Sequence, residues 1–509
     1  TNPLSHSHHT NPLSHSRHSF HSHTPTTSVH SHSRHSIRLS HSRHSTPLSY
    51  LRQFISCSHT PPLHSAEAHA TLCAPAPQTD HPGGAGHGSP GLPINTYIAY
   101  RDDGAADPSV RTLSFAELVA EGSQYVLFGV EVASPEPVLV FLKLKPAARR
   151  ALYENEAFID RGIRKLVELG SPVAFCSLAT AEAYVSDAAA RVASGEWRVS
   201  FVWNTGRCGS TLLHKALLAH GVASLSEPHW LDQLLKAKAW QDAAPAELQR
   251  ALRVCALVEA RLATRQRAPA GWTNATSFSF NPKMGHAVHL QEAATLALPA
   301  AKHLFMYRAC HKVVHSFAGL LGAPGLVRGL WERLVWWYYG QALLPPPKVS
   351  RLKDCLHALP LAELSSSLAA SLTQRWLESV LGWLSLQARY EAGEEHSAHL
   401  APIGTAPSLR MDELTTKDAQ ARLHVLRGAF VALGLASDET TPAELANALA
   451  SFETHSQAGS AMSGPKKAGL LPADEPLICT TVLKALEGVK GVTVESDGAN
   501  VLLPSSIGA

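Results

Sequence analysis

Residues that could bind an anion are concentrated in one short turn. The turn consists of Thr205, Gly206, Arg207, Cys208, Gly209, Ser210 and Thr211. Its glycines allow backbone N–H groups to converge, its hydroxyl residues add donors, and Arg207 supplies the one positive charge. A Walker A loop needs Lys between its last glycine and the Ser or Thr, and Ser210 follows Gly209 directly. An ordinary strand-to-helix turn would have a similar sequence, so both interpretations stay open on the turn alone.

The segments on either side of this turn indicate which elements hold it. Residues 197–204 are an apolar run of the length and composition of a buried strand. After the turn, one face of a predicted helix is apolar and contains Leu212, Leu213, Ala216 and Leu217. A strand–turn–helix unit places the positive end of the helix dipole beside a bound anion.

A carboxylate follows the next predicted strand. Residues 222–225 are typical of a strand, and Ser226-Glu227-Pro228 comes directly after them. Because α/β sheets bind ligands at the carboxyl ends of their strands, Glu227 is a candidate general base. Capping the helix that Pro228 would begin is the alternative role for this residue.

A second candidate anion site combines an arginine and a serine further along the chain. Residues 302–307 are typical of a strand that ends in Arg308, and a helix predicted over residues 311–321 carries Ser316 at the edge of its apolar stripe. A planar guanidinium and a hydroxyl donor in this arrangement can bind one anion. Either residue alone could equally lie on a solvated surface.

Together, the two sites resemble the motifs of the sulfotransferases that use 3′-phosphoadenosine 5′-phosphosulfate (PAPS). In that family a loop of the form T-G-R-S/C-G-S-T-L-L binds the 5′-phosphosulfate, and residues 205–213 match it. An Arg with a Ser eight positions later binds the 3′-phosphate, as Arg308 and Ser316 are spaced here. Ser226-Glu-Pro is similar to an element of the carbohydrate-type branch, and residues 408–414 resemble the family's R-Y-E-D-L strand. The resemblance extends over residues 197–454.

The resemblance implies a fold and a reaction. The fold is α/β, a three-layer sandwich with a central parallel sheet and a P-loop-type 5′-phosphosulfate loop. In such a fold, residues 199–204, 222–225 and 303–307 should be neighbouring parallel strands with their carboxyl ends at one edge. The reaction is the transfer of a sulfuryl group from PAPS, as co-substrate, to a hydroxyl or amine acceptor, either a small molecule or a carbohydrate.

The resemblance also assigns residues to roles. Those expected to bind PAPS are Thr205, Gly206, Arg207, Cys208, Gly209, Ser210, Thr211, Arg308 and Ser316. Arg207 would also stabilise charge on the bridging oxygen, and no metal is required. Glu227 is the first candidate for the base and His286 the second, since Lys283-Met-Gly-His286 is similar to the Lys-x-His arrangement of the cytosolic branch. Lys283 would support the leaving group or lie on the surface.

Departures from the family leave alternatives open. Arg207 stands where the cytosolic branch has Lys, and the family's basic C-terminal loop has no clear match, Lys466 and Lys467 being the nearest residues. A non-catalytic protein that binds the cofactor with the same fold is therefore the second interpretation. A P-loop kinase is the third, and the absence of the Walker lysine argues against it.

Composition divides the chain into four parts. Residues 1–90 contain 17 of the 30 histidines among Ser, Thr and Pro, which predicts a disordered low-complexity tail, with weak metal or anion binding as the alternative. Residues 91–195 are expected to form a small α/β extension that includes a β-hairpin around residues 134–137. Residues 196–457 are the predicted sulfotransferase domain, and residues 458–509 form a C-terminal segment.

Charge and hydropathy exclude several classes of protein. The tail carries a net charge of +3 and the remaining 419 residues are neutral, which excludes a broad nucleic-acid surface. The eight cysteines form no C-x-x-C pair, which argues against a zinc ribbon or a thioredoxin-like site. No apolar run is long enough to span a membrane, which favours a soluble cytoplasmic protein; a Golgi protein is the alternative if an N-terminal anchor precedes this sequence. Neither the acceptor nor the oligomeric state follows from these patterns.

Overall fold

The computed structural model describes fourteen segments of the chain. They are residues 93–98, 111–120, 124–131, 137–155, 159–166, 172–236, 245–265, 276–282, 288–321, 367–394, 397–437, 439–453, 474–504 and 506–507. The predicted tail at residues 1–90 lies outside these segments, as do Lys283, His286, Lys466 and Lys467. The described residues all belong to one compact unit, residues 88–509.

An antiparallel sheet occupies the first part of the described chain. Its strands are β1 (Pro93–Ile98), β2 (Arg111–Ser114), β3 (Tyr125–Glu131), β4 (Val138–Lys143) and β5 (Pro172–Ser177). Their order across the sheet is β2-β1-β5-β4-β3. The predicted hairpin is confirmed, because β3 and β4 pair antiparallel, with an irregularity between Leu127 and Gly129.

Five short helices accompany this sheet. They are α1 (Phe115–Leu118), α2 (Pro146–Asn155), α3 (Ile159–Leu166), α4 (Leu178–Tyr184) and α5 (Ser186–Ala193). The chain after β5 forms two helices, α4 and α5, rather than one. Ser177 is the N-cap, since its hydroxyl accepts a hydrogen bond from the Thr180 N–H, and the helix is interrupted at Val185.

A second, wholly parallel sheet forms the centre of the remaining part. Its strands are β6 (Arg198–Asn204), β7 (Ala223–Ser226), β8 (Ser277–Asn281), β9 (Lys302–Tyr307) and β10 (Ser408–Arg410). The order is β10-β9-β6-β8-β7. Strand β6 pairs with β9 as predicted, but β8 lies between β6 and β7, so the prediction that these two are neighbours is wrong. All five carboxyl ends nevertheless share one edge, because every pairing is parallel.

Helices cover both faces of the parallel sheet. The longer ones are α6 (Ser210–Ala219), α7 (His229–Lys236), α8 (Pro245–Arg265), α9 (Val288–Ala297), α10 (Cys310–Leu321), α11 (Ser367–Glu391), α14 (Ala419–Ala432) and α16 (Asp474–Leu486). The short ones are α12 (Ala401–Gly404), α13 (Met411–Leu414) and α15 (Ala446–Ala450). None of the helices in the described segments is long and apolar enough to cross a membrane.

Alternating side chains of the strands explain why helices lie on both faces. In β9, Leu304 and Met306 belong to a core shared with α6 and α14, whereas Phe305 and Tyr307 belong to a core shared with α8 to α11 and α16. A strand that is apolar on both faces needs a layer of helices on each. The arrangement is consistent with a three-layer sandwich.

The segment that resembles R-Y-E-D-L is only partly a strand. Residues Ser408–Arg410 pair with β9, and the chain then turns into helix α13 at Met411. The prediction of one strand over this segment is therefore too long. Residues near the C-terminus lie beside β10, where the Ile507 N–H donates to the Ser408 carbonyl over 2.8 Å.

Candidate functional site

The turn after β6 has an unusual backbone. Gly206, Arg207 and Gly209 all have left-handed backbones, with φ values of 73°, 50° and 83°. Glycine adopts this region freely, whereas for Arg207 it is strained. A Cβ atom at Gly209 would lie 3.2 Å from the Met411 Cγ atom, so the close approach of α13 also favours glycine there. The turn therefore follows a specific path that its two glycines permit.

The helix after this turn begins at Ser210. The Leu213 N–H donates to the Gly209 carbonyl over 3.0 Å, so the first helical turn closes directly on the loop. Ser210 is partly exposed, and the Thr211 residue is buried. The Cys208 side chain packs in the core shared with α6, and burial raises its pKa to about 11. Cys208 is therefore an uncharged thiol that can offer a ligand only its backbone.

Two buried asparagines connect this turn with the end of β7. The Asn204 side-chain oxygen Oδ1 accepts a hydrogen bond from the Gly206 N–H (2.9 Å), and the Asn204 Nδ2 atom donates to the Asn281 Oδ1 atom (2.8 Å). The Asn281 amide in turn donates to the Ser226 hydroxyl (3.3 Å). Both asparagines are almost fully buried, at 4% and 3% exposure. This network fixes the turn relative to two neighbouring strands, and neither asparagine was among the predicted site residues. The available signal was an Asn at the end of each apolar strand, one of them before Pro282.

Glu227 lies just beyond β7 and is also strained. Its φ is 54°, and within the described segments Arg207 and Glu227 are the only residues other than glycine with a left-handed backbone. Its N–H donates to the Asn281 carbonyl over 2.8 Å, and the residue is partly exposed. Strained backbones persist where the surroundings impose them, and they occur preferentially at functional sites.

Arg308 lies at the end of β9, at the same edge. Its carbonyl accepts a hydrogen bond from the Trp376 indole over 2.8 Å, which fixes its backbone. Its Nε atom is buried and has no hydrogen-bond partner among the described residues, the nearest carboxylate being Asp412 at 4.0 Å. A buried N–H donor of this kind is costly unless something accepts from it.

Ser316 joins the two predicted anion sites. Its hydroxyl, on helix α10, accepts a hydrogen bond from the Arg207 Nε atom over 2.9 Å. The Arg207 guanidinium also lies 5.9 Å from the centre of the Phe317 ring. The turn after β6 and the helix after β9 thus meet through side chains that are 109 positions apart.

The antiparallel sheet contacts the helix that follows Glu227. The Gln233 side chain of α7 accepts a hydrogen bond from the Val130 N–H of β3 over 2.7 Å. The rings of Phe128 and His229 stack with their centres 4.6 Å apart. The N-terminal extension therefore packs against α7 and supports the segment that begins at Glu227.

Comparison with other proteins adds no family to this site. No protein-family model matches the sequence, and no curated protein matches it. Among the described residues, no group of three or more His, Cys, Asp or Glu side chains could hold a metal ion. The chemistry of the site is therefore argued from its own residues.

Proposed function

We propose that the protein is a sulfotransferase that moves a sulfuryl group from PAPS to a hydroxyl or amine acceptor. The observation that carries the proposal is the hydrogen bond between Arg207 and Ser316, 2.9 Å long. The 5′- and 3′-phosphate groups of PAPS are attached to a single ribose ring. Side chains that bind them must consequently lie close together, as these two do.

The residues of the edge fit such a ligand. The turn offers backbone N–H groups, the amino end of α6 and the Ser210 hydroxyl to a 5′-phosphosulfate. The buried Nε atom of Arg308 is a donor that a 3′-phosphate would satisfy. The strained backbone of Arg207 keeps its guanidinium at the junction of the two sites.

In the proposed reaction, PAPS supplies the sulfuryl group and a bridging oxygen that leaves. The bond between the acceptor oxygen or nitrogen and sulfur forms as the bond from sulfur to the bridging oxygen breaks, and the bisphosphate departs. Arg207 and the N–H groups of the turn stabilise the negative charge that develops on the bridging oxygen. Glu227 accepts the proton of the acceptor hydroxyl. Positioning and charge stabilisation suffice for such a loose transfer.

Ligand binding tests the cofactor first. Titration calorimetry should detect binding of 3′-phosphoadenosine 5′-phosphate and should detect no binding of ATP under the same conditions. Tighter binding of ATP would favour a P-loop kinase and contradict the proposal.

Transfer of labelled sulfate from PAPS to a panel of sugars, phenols and amines then tests the chemistry. Arg207→Ala should abolish labelling, whereas Arg198→Ala should not. Arg198 is the matched control because it lies at the opposite end of β6. Bisphosphate binding without labelling of any acceptor would favour the non-catalytic binding protein.

A further inference from the structure

Asp412 of α13 brings a second cation to the Arg308 end of the site. The Asp412 Oδ2 atom accepts a hydrogen bond from the Lys312 ammonium over 3.0 Å, and the Asp412 Oδ1 atom lies 4.0 Å from the Arg308 Nε atom. Lys312 lies in the first turns of α10, four residues beyond Arg308. All three side chains are between one quarter and two fifths exposed, so an anion from solvent can reach them.

The charges around this point favour an anion of more than one negative charge. Arg308 and Lys312 contribute two positive charges, and Asp412 compensates one of them. His311, on the same turn, has a pKa lowered by burial, and its Nε2 atom lies 3.7 Å from Glu475. Among the Arg308, Lys312 and Asp412 side chains, the positive charge therefore exceeds the negative charge by one.

We propose that Lys312 is a further specificity residue, which binds the 3′-phosphate together with Arg308 while Asp412 orients both cations. This inference rests on the proposed function and adds a residue outside the Arg–Ser pair. The alternative is a surface ion pair between Lys312 and Asp412, which would contribute little to the stability of the fold and nothing to nucleotide binding. The two roles differ in one respect: only the first depends on the phosphate at the 3′ position.

A comparison of two nucleotides tests the assignment. Titration calorimetry would measure the affinities of two nucleotides, 3′-phosphoadenosine 5′-phosphate and adenosine 5′-phosphate. The proteins compared are the wild type, Lys312→Ala, Lys312→Arg and Lys302→Ala. Lys312→Ala should weaken binding of the bisphosphate about tenfold and leave the monophosphate unchanged, because only the bisphosphate meets the ammonium. Lys312→Arg should retain most of the affinity. Lys302→Ala should change neither nucleotide, since Lys302 begins β9 at the opposite edge of the sheet.

The outcomes separate this inference from the proposed function. If the wild type prefers the bisphosphate and Lys312→Ala changes both nucleotides equally or neither, Lys312 has no such role and the sulfotransferase proposal stands. If the wild type does not prefer the bisphosphate, both proposals are overturned. Unchanged monophosphate binding by Lys312→Ala also shows that the variant is folded.

Discussion

The protein contains two five-stranded sheets that place polar residues very differently. In the parallel sheet, Asn204, Glu227 and Arg308 end or follow three different strands and all lie at one edge. In the antiparallel sheet, the carboxyl ends of adjacent strands alternate between opposite edges, and its contacts with α7 include one hydrogen bond and one ring stack.

The difference shows how strand direction gathers a site. Parallel strands bring residues that are distant in sequence to a common edge, whereas antiparallel strands separate them. The strained backbones follow the same division, since Arg207 and Glu227 both lie at the carboxyl edge of the parallel sheet. We therefore expect changes at this edge to affect chemistry and binding, and changes in the antiparallel sheet to affect stability alone.

Among the variants that retain Arg207, the largest effect is expected from Glu227→Gln. This variant keeps the shape of the side chain and removes the proposed base, so turnover should fall by roughly 10²–10⁴-fold while binding of the bisphosphate survives. Sulfate transfer and titration calorimetry measure the two quantities. His286→Ala is the comparison variant: if it abolishes turnover and Glu227→Gln retains most activity, the base has been assigned to the wrong residue.

Arg308→Ala should act on binding more than on turnover. Loss of a charge-assisted contact remote from the breaking bond should weaken bisphosphate binding by about ten- to a hundredfold. Turnover at saturating PAPS should fall much less, because ground state and transition state share that contact. Arg198→Ala, at the other edge, is the control. Equal losses in both variants would show that general charge, and not the site, attracts the ligand.

A buried carboxyl group on helix α8 should make the stability of the protein depend on pH. Glu259 of α8 is 2% exposed, and burial raises its pKa to about 8. The folded protein thus keeps a proton that the unfolded chain loses above the ordinary carboxyl pKa. Stability should decrease as the pH rises from the unfolded pKa towards 8, by about 1.4 kcal/mol for each pH unit.

Glu259→Gln should remove this contribution, which amounts to roughly 3 kcal/mol between about pH 5 and pH 7.5. Chemical denaturation of both proteins across that range measures the difference. Parallel pH profiles for the wild type and the variant would show that the carboxyl is ionised in the folded protein.

Two amide side chains allow a direct comparison of the regions. Asn281 belongs to the parallel sheet, and Gln233 of α7 accepts a hydrogen bond from the antiparallel sheet. Asn281→Ala and Gln233→Ala each remove partners of buried or partly buried hydrogen bonds, and each should lower the free energy of unfolding by about 1–2 kcal/mol. Only Asn281→Ala should also weaken bisphosphate binding, because Asn281 supports the Asn204 amide and hence the turn. Equal binding by both variants would mean that the asparagine network has no influence on the site.

The smallest effect is expected from deletion of residues 1–90. Their sequence contains few large apolar side chains, so the melting temperature and bisphosphate affinity should not change measurably. Thermal denaturation of the shortened chain tests this. A marked drop in melting temperature would show that the segment packs on the rest of the protein.

The sequence by itself determined the local elements around the site. The apolar run of β6, the glycines of the turn and the amphipathic stripe of α6 are all local patterns, so their order and bounds could be predicted. Strand β9 and helix α10 followed from patterns of the same kind. The parallel direction of the strands also followed, because each is separated from the next by helical sequence.

Only the tertiary structure decided which strands are neighbours and which side chains meet. The insertion of β8 between β6 and β7 depends on long-range pairing that no local pattern encodes, and it brings Asn281 into the site. The left-handed backbone of Glu227 and the contact between Arg207 and Ser316 have the same origin. Such contacts arise from the packing of whole elements, so residue types and spacing can identify the participants but not their partners.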